Sequence, residues 1–100
     1  MAIEIKEKSG MFEIVGNISS QNMASVKNYL ESIMHSSDKI TLNIEKVEAM
    51  DTSGAFMLER LYKNASLKNK VISIIGRQNK KIANMMQNTK THYILSNDRV

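Results

Sequence analysis

The hydrophobic pattern of this chain switches several times between two periods. Runs such as Ile3-Glu4-Ile5-Lys6 alternate apolar and polar residues, as a half-buried strand does. Other stretches carry apolar residues three and four positions apart, which is the spacing of one helix face. No proline interrupts either kind of segment. This pattern predicts an α/β fold, because alternating strands and helices build a partly parallel sheet with crossover helices.

Four short runs have the length and composition of strands: 3–6, 11–15, 40–44 and 71–75. The first two flank Ser9-Gly10 and are predicted to form a hairpin whose second strand ends at Gly16-Asn17. The fourth is almost continuously apolar, which favours a central strand covered on both faces. Residues 93–95 are a candidate for a last short strand, and residues 96–100 for a frayed tail.

Three helices are predicted, over roughly 21–35, 54–66 and 79–88. Ser19 or Ser20 is expected to cap the first, because a hydroxyl accepts a free N–H of the first turn. In the second helix, Phe56 and Arg60 share a face that differs from the apolar one, so we expect them to be exposed. The expected buried stripe of that helix is Leu58, Leu61, Tyr62 and Ala65.

The composition limits the kinds of site that the chain can carry. Its 100 residues suit a single domain, 1–100. There is no cysteine, which excludes disulfides, thiolate metal sites and cysteine nucleophiles. His35 and His92 are isolated, so no metal site is expected. No apolar run approaches the roughly 20 residues of a membrane span, and a cytoplasmic location is the expectation.

The net charge of +4 is unevenly distributed. Residues 1–51 contain five Lys/Arg and eight Asp/Glu, whereas residues 52–100 contain nine and two. A basic half is typical of a solvated lysine surface, of an acidic protein partner or of nucleic-acid binding. Only five aromatic residues are present, and they do not cluster with the lysines as nucleic-acid binding would favour.

The stretch Met50-Asp51-Thr52-Ser53-Gly54 is the clearest candidate for chemistry. It joins a predicted strand to a predicted helix, and so places hydroxyls at the first turn of that helix. Free N–H groups and the positive end of the helix dipole favour an anion there. Ser53 is therefore either a helix cap or a residue whose phosphorylation acts as a switch. Asp51 is expected to cap the helix, to orient the Ser53 loop, or both.

This stretch, preceded by Leu42-Asn43-Ile44 and Val47, resembles the STAS domain of bacterial anti-sigma-factor antagonists. The resemblance extends over the whole chain, including the opening hairpin and the apolar run at 71–75. It implies a mixed sheet of four to five strands with about three helices packed mainly on one side. It also implies that Ser53, immediately before the motif glycine, is the phosphorylation site.

The family resemblance further implies a function without catalysis or cofactor. Such proteins bind an anti-sigma factor that is also a serine kinase, and a serine phosphatase resets them. The implied partner-binding residues are Asp51, Thr52, Ser53, Gly54, Phe56 and Arg60. A monomer is expected, with neither direct nucleic-acid binding nor membrane insertion.

Three positions depart from the usual family pattern, and two other functions stay open. Thr52 replaces a commoner serine, Asn43 a frequent aspartate, and Phe56 a frequent glycine, which makes the surface beside Ser53 bulkier. One alternative is a STAS subunit of a membrane transport ATPase complex, in which Ser53 would be a contact or cap. The other is a small nucleic-acid-binding domain that uses the basic half.

Overall fold

The structure is a computed structural model, and it describes residues 3–96. Across these residues five strands form one mixed sheet: β1 Ile3–Lys8, β2 Met11–Ile18, β3 Lys39–Asn43, β4 Val47–Met50 and β5 Val71–Ile75. The helices of the same range are α1 Met23–Ser36, α2 Thr52–Leu67 and α3 Lys80–Asn88, followed by a short 3₁₀ turn, His92–Ile94. The predicted fold class is confirmed.

The sheet combines one antiparallel hairpin with parallel strands. β1 pairs antiparallel with β2 through a turn in which Ser9 and Gly10 both have positive φ, 54° and 85°. Positive φ at both central residues is the geometry that matches the twist of a two-residue hairpin. On its other side β2 pairs in parallel with β3 and, farther along, with β4, and β5 pairs in parallel with β3.

The hydrophobic core lies on one face of this sheet. Side chains alternate along β2, β3 and β5 between buried positions and positions that are half-buried or exposed. The register places the buried positions opposite one another, as in Phe12, Leu42 and Ile74. The helices cover this face with their own apolar stripes, of which Leu30, Leu58 and Ile82 are almost completely buried. The predicted arrangement of helices mainly on one side is confirmed.

Two strand predictions are wrong in detail. β2 does not end at Gly16 but continues to Ile18 through a register shift, where Gly16 adopts a φ of 113° that favours glycine. β5 is not central, because it lies at the end of the path β1-β2-β3-β5. Only one of its faces is buried, and Val71 on the other face is 53% exposed.

Strand β4 is absent from the sequence prediction, which placed no strand between 44 and the helix predicted at 54. Val47 and Met50 are both buried, but they are three positions apart, so the segment lacks the alternation of a strand. It becomes a strand because the last residues of β2 extend beyond β3 and offer it unpaired backbone groups.

The ends of the predicted elements differ in two further places. Asn22, rather than Ser19 or Ser20, is the N-cap residue of α1. The candidate strand at 93–95 is mainly a 3₁₀ turn, with one isolated bridge from Leu95 to Ile74. Ser96 is not frayed, because its N–H donates to the Ile74 carbonyl at 2.7 Å. The rest of the predicted tail, 97–100, lies outside the described residues.

Candidate functional site

Asp51 sets the start of helix α2. Its N–H donates to the Ile18 carbonyl at 3.1 Å, which fixes the residue at the end of the sheet. One carboxylate oxygen then accepts the N–H of Gly54 at 2.9 Å, as an N-cap side chain does. The backbone of Asp51 is extended, with φ −91° and ψ 176°, so the helix begins at Thr52. The predicted capping role of Asp51 is confirmed.

The second oxygen of the same carboxylate accepts the N–H of Ser20 at 3.0 Å. Ser20 is 31 residues away in sequence, in the loop between β2 and α1. Asp51 therefore holds that loop against the start of α2, and both of its oxygens are engaged with backbone N–H groups.

Gly54 brings the first turn of α2 close to the sheet. A Cβ at this position would lie 2.8 Å from the Ile18 Cγ2 and 3.0 Å from both the Ile18 carbonyl oxygen and the Met50 Cγ. A carbonyl oxygen of the sheet cannot move aside as the end of a flexible side chain can. Gly54 is buried, so its part in the site is to allow this close approach rather than to present a surface.

Thr52 and Ser53 occupy the first two positions of the helix and are both exposed. In an α-helix the N–H groups of these positions have no intrahelical acceptor. Ser53 does not cap the helix, because Asp51 already does so. Within residues 3–96 the Ser53 hydroxyl has no hydrogen-bond partner. The structure thus places a free hydroxyl at the positive end of α2.

A groove of about 220 Å³ begins at Ser53 and runs between α1 and α2. Its remaining lining residues are Met23, Lys27, Phe56, Met57 and Arg60. Phe56 is 43% exposed and Arg60 is exposed, as their helical phase predicts. The structure therefore brings Ser53, Phe56 and Arg60 together on one surface.

The cations of this groove differ in their partners. The Lys27 Nζ lies 3.3 Å from a Glu31 carboxylate oxygen, one turn farther along α1. Arg60 forms no ion pair with any residue between 3 and 96. Sequence reasoning missed the contribution of Lys27, because the packing of α1 against α2, and not the spacing of residues, brings it to Ser53.

The groove surface continues along α2 toward Lys63 and Asn64. Glu59 is occupied there, since it accepts the Tyr93 hydroxyl at 2.6 Å and lies 3.8 Å from the Lys63 Nζ. The hydrogen bond to Glu59 raises the pKa of the Tyr93 hydroxyl. Glu59 is thus engaged with Tyr93 and Lys63, and Arg60 forms no ion pair with it or with any other residue between 3 and 96.

Part of the basic half has structural partners. The Arg77 guanidinium donates to the carbonyls of Ser96 and Leu95, at 3.1 and 3.2 Å. The Lys70 ammonium lies 3.3 Å from the Asp38 carboxylate and donates to the Ser37 carbonyl. These two cations stabilise loops at the ends of the sheet. Lys70 is paired with an acid, whereas Arg77 keeps its charge because its partners are neutral carbonyl groups.

Two general features of the described residues limit other kinds of site. Between residues 3 and 96 no group of three or more His, Asp or Glu side chains could hold a metal ion. No helix within that range is both long enough and apolar enough to cross a membrane.

The sequence model of the STAS domain matches residues 1–96. The chain belongs to the STAS domain family. A search of individual curated protein sequences finds no match.

Solved structures share the fold of this STAS domain. The unphosphorylated anti-sigma factor antagonist SpoIIAA is similar with a TM-score of 0.72 and 11% identity, over 94% of this chain and 85% of that one. An anti-sigma factor antagonist from Mycobacterium paratuberculosis is similar with a TM-score of 0.66 and 13% identity. That likeness covers 98% of this chain and 86% of the other. At such identities the likeness concerns the fold.

Proposed function

We propose that this STAS domain is a protein-binding switch, controlled by phosphorylation of Ser53, and that it acts as an anti-sigma-factor antagonist. The observation that carries the proposal is the exposed Ser53 hydroxyl, which lacks a partner within residues 3–96 and borders a groove with Phe56 and Arg60. A hydroxyl with a structural duty would be buried or hydrogen-bonded. The residues around it instead leave it accessible to an enzyme.

The partner in this proposal is an anti-sigma factor that is also a serine kinase. The Ser53 oxygen attacks the γ-phosphorus of ATP that the kinase holds, and a new P–O bond forms. The bond between the γ-phosphorus and the bridging oxygen breaks, ADP leaves, and a base on the kinase takes the hydroxyl proton. A serine phosphatase returns the hydroxyl through attack of water, which releases inorganic phosphate.

The unmodified surface suits such a partner in its chemistry. Phe56 offers an exposed aromatic ring and Arg60 a cation with no ion pair among residues 3–96, and such residues are enriched at interface centres. We expect them to meet an apolar pocket and an acidic group of the partner. Asp51 and Gly54 contribute by holding the first turn in place, and Thr52 by direct contact.

Phosphorylation should weaken this contact. A phosphoserine adds roughly −1.5 to −2 charge at neutral pH. The complex would have to remove water from that charge, and an acidic partner group would repel it. A loss of about 1.4 kcal/mol lowers affinity tenfold. We therefore expect the phosphorylated form to bind at least tenfold more weakly.

The proposal includes a single STAS domain over 1–100, monomeric, cytoplasmic and without catalytic activity or cofactor. In this proposal the domain acts by binding its protein partner. The kinase supplies the nucleotide.

The test combines labelling and binding. The protein is incubated with the kinase and ATP, and the modified residue is located by mass spectrometry. One phosphate is expected, on Ser53, in the parent and in Thr52→Ala but not in Ser53→Ala. Thr52→Ala is the matched control, because it removes the neighbouring exposed hydroxyl of the same helical turn.

Calorimetric titration of the partner then compares the two states. We expect the unmodified parent to bind, and its phosphorylated form to bind at least tenfold more weakly. Equal affinities, or full labelling of Ser53→Ala, would contradict the proposal. Purification with a transport ATPase subunit, without labelling, would instead favour the transport alternative.

A further inference from the structure

Two cations from different helices border the groove that begins at Ser53. Lys27 belongs to α1 and Arg60 to α2. Arg60 follows Ser53 by seven residues, about two helical turns on the same helix. Side chains of a helix tilt toward its N-terminus, and this tilt directs the long Arg60 side chain toward the Ser53 end of the groove.

We propose that Lys27 and Arg60 form an intramolecular clamp for the phosphate of phosphorylated Ser53. The clamp rests on the proposed function, in that Ser53 is the residue that is modified. A guanidinium can bind two phosphate oxygens with two parallel N–H groups, and an ammonium adds a compact charge. Arg60 gives up no ion pair within residues 3–96 to do this, and Lys27 exchanges Glu31 for the phosphate.

The charged groups around Ser53 favour capture of a phosphate. From α1 the groove receives Lys27, whose partner Glu31 is the nearest acid on that helix. At the start of α2 the acid is Asp51, but both of its oxygens already accept N–H groups, of Gly54 and Ser20. Two cations thus line the groove that Ser53 borders. The carboxylate of Asp51 is already engaged with N–H groups, whereas Glu31 competes with the phosphate for Lys27.

The clamp gives phosphorylation a second effect on partner binding. Besides adding negative charge, the phosphate draws Arg60 away from the surface that meets the partner. It also connects α1 to α2, so it should stabilise the folded domain rather than disorder the start of α2. Opposite charges lower the second pKa of the phosphate below the value near 6 that it has when unfolded. The added stability is therefore present above that pH and is lost as the pH falls through the lowered pKa.

Phosphoserine placed at position 53 during translation tests the clamp without any kinase. A ³¹P NMR titration gives the second pKa of this phosphate in the parent, in Arg60→Gln and in Lys27→Gln. A phosphoserine at Ser25, which is exposed in the first turn of α1, is the control for a helix start outside the groove. Lys63→Gln removes an equal charge farther along α2.

We expect the pKa at position 53 to be lower than that at position 25 by ~0.5 unit or more. Arg60→Gln and Lys27→Gln should each raise it, whereas Lys63→Gln should not. Equal pKa values at 53 and 25, unchanged by Arg60→Gln and Lys27→Gln, would overturn the clamp. Because the phosphate is built in, a kinase that fails to label Ser53 would reject the proposed function while leaving this measurement decisive for the clamp.

Discussion

Helices α2 and α3 begin in the same way but expose different groups. Each follows a parallel strand, and each has an Asx residue as its N-cap, Asp51 or Asn79. Each also lies near a glycine that brings backbone close to core side chains, Gly54 or Gly76. At the start of α3 the cap is engaged with the fold and the first two helical residues, Lys80 and Lys81, expose cations, whereas the start of α2 exposes two hydroxyls.

The Asn79 side chain, at the start of α3, forms several hydrogen bonds with the rest of the fold. Its amide donates to the carbonyls of Ile44, Glu45 and Val47 at 3.2, 3.1 and 2.9 Å, and its oxygen accepts the Ile82 N–H at 3.4 Å. Asp51 holds only two N–H groups, and Ser53 holds none within residues 3–96. Two helix starts with the same kind of N-cap residue thus differ in the groups that they leave available. Only the start of α2 exposes hydroxyls, so it is the candidate for control by phosphorylation.

The largest expected loss of stability belongs to a core variant of α2, and it tests whether core packing stabilises this helix more than the contacts of its first turn do. Leu58 is 0% exposed, so Leu58→Ala should lower the free energy of unfolding by about 2–5 kcal/mol. Phe56→Ala, two residues away and 43% exposed, is the matched control and should cost clearly less, about 1 kcal/mol. Urea unfolding measures both. Similar losses in the two variants would mean that the assigned faces of α2 are wrong.

A smaller loss of stability is expected when the N-cap residues of α2 and α3, Asp51 and Asn79, are each replaced by alanine. Asn79→Ala should cost about 1–3 kcal/mol, because it removes the cap and also takes the amide donor from the Glu45 and Val47 carbonyls. The Ile44 carbonyl still accepts the Val47 N–H. Asp51→Ala should cost about 0.5–2 kcal/mol, the usual range for an N-cap. Thermal or urea unfolding under identical conditions ranks them. If Asp51→Ala lowered the free energy of unfolding more than Asn79→Ala, the Asn79 cap would contribute less to stability than its additional hydrogen bonds indicate.

The smallest effect is expected at the exposed hydroxyls. Ser53→Ala and Thr52→Ala should each change the free energy of unfolding by less than ~0.5 kcal/mol, since Asp51 supplies the cap. The same unfolding assay measures them beside the parent. A loss near 1 kcal/mol or more for Ser53→Ala would assign Ser53 a structural duty and remove the contrast with Asn79.

Much of this fold could be predicted from the local pattern of apolar and polar residues. The spacing of Leu58 and Leu61 predicted the buried face of α2, and the phase of Phe56 and Arg60 predicted their exposure. Asp51 was recognisable as a cap because it stands just before the predicted helix, where an aspartate accepts N–H groups of the first turn. These signals depend on neighbours within one or two turns, so the sequence alone contains them.

Other features depend on which segments meet in space. Val47–Met50 is a strand only because β2 extends past β3, and Val71–Ile75 is an edge strand although its composition is typical of a central one. An apolar run shows that a strand is buried, but not whether a further strand lies beside it.

Some features of the candidate site could likewise be predicted from the sequence, and others depend on the tertiary structure. The sequence by itself determined that Ser53 stands at a helix start, because capping and helical period are short-range properties. The tertiary structure decided that Asp51 also holds Ser20, 31 residues away, and that Lys27 lies in the groove of Ser53 and Arg60. Such contacts follow from the packing of α1 against α2 over a shared core, and no local spacing of residues encodes that packing.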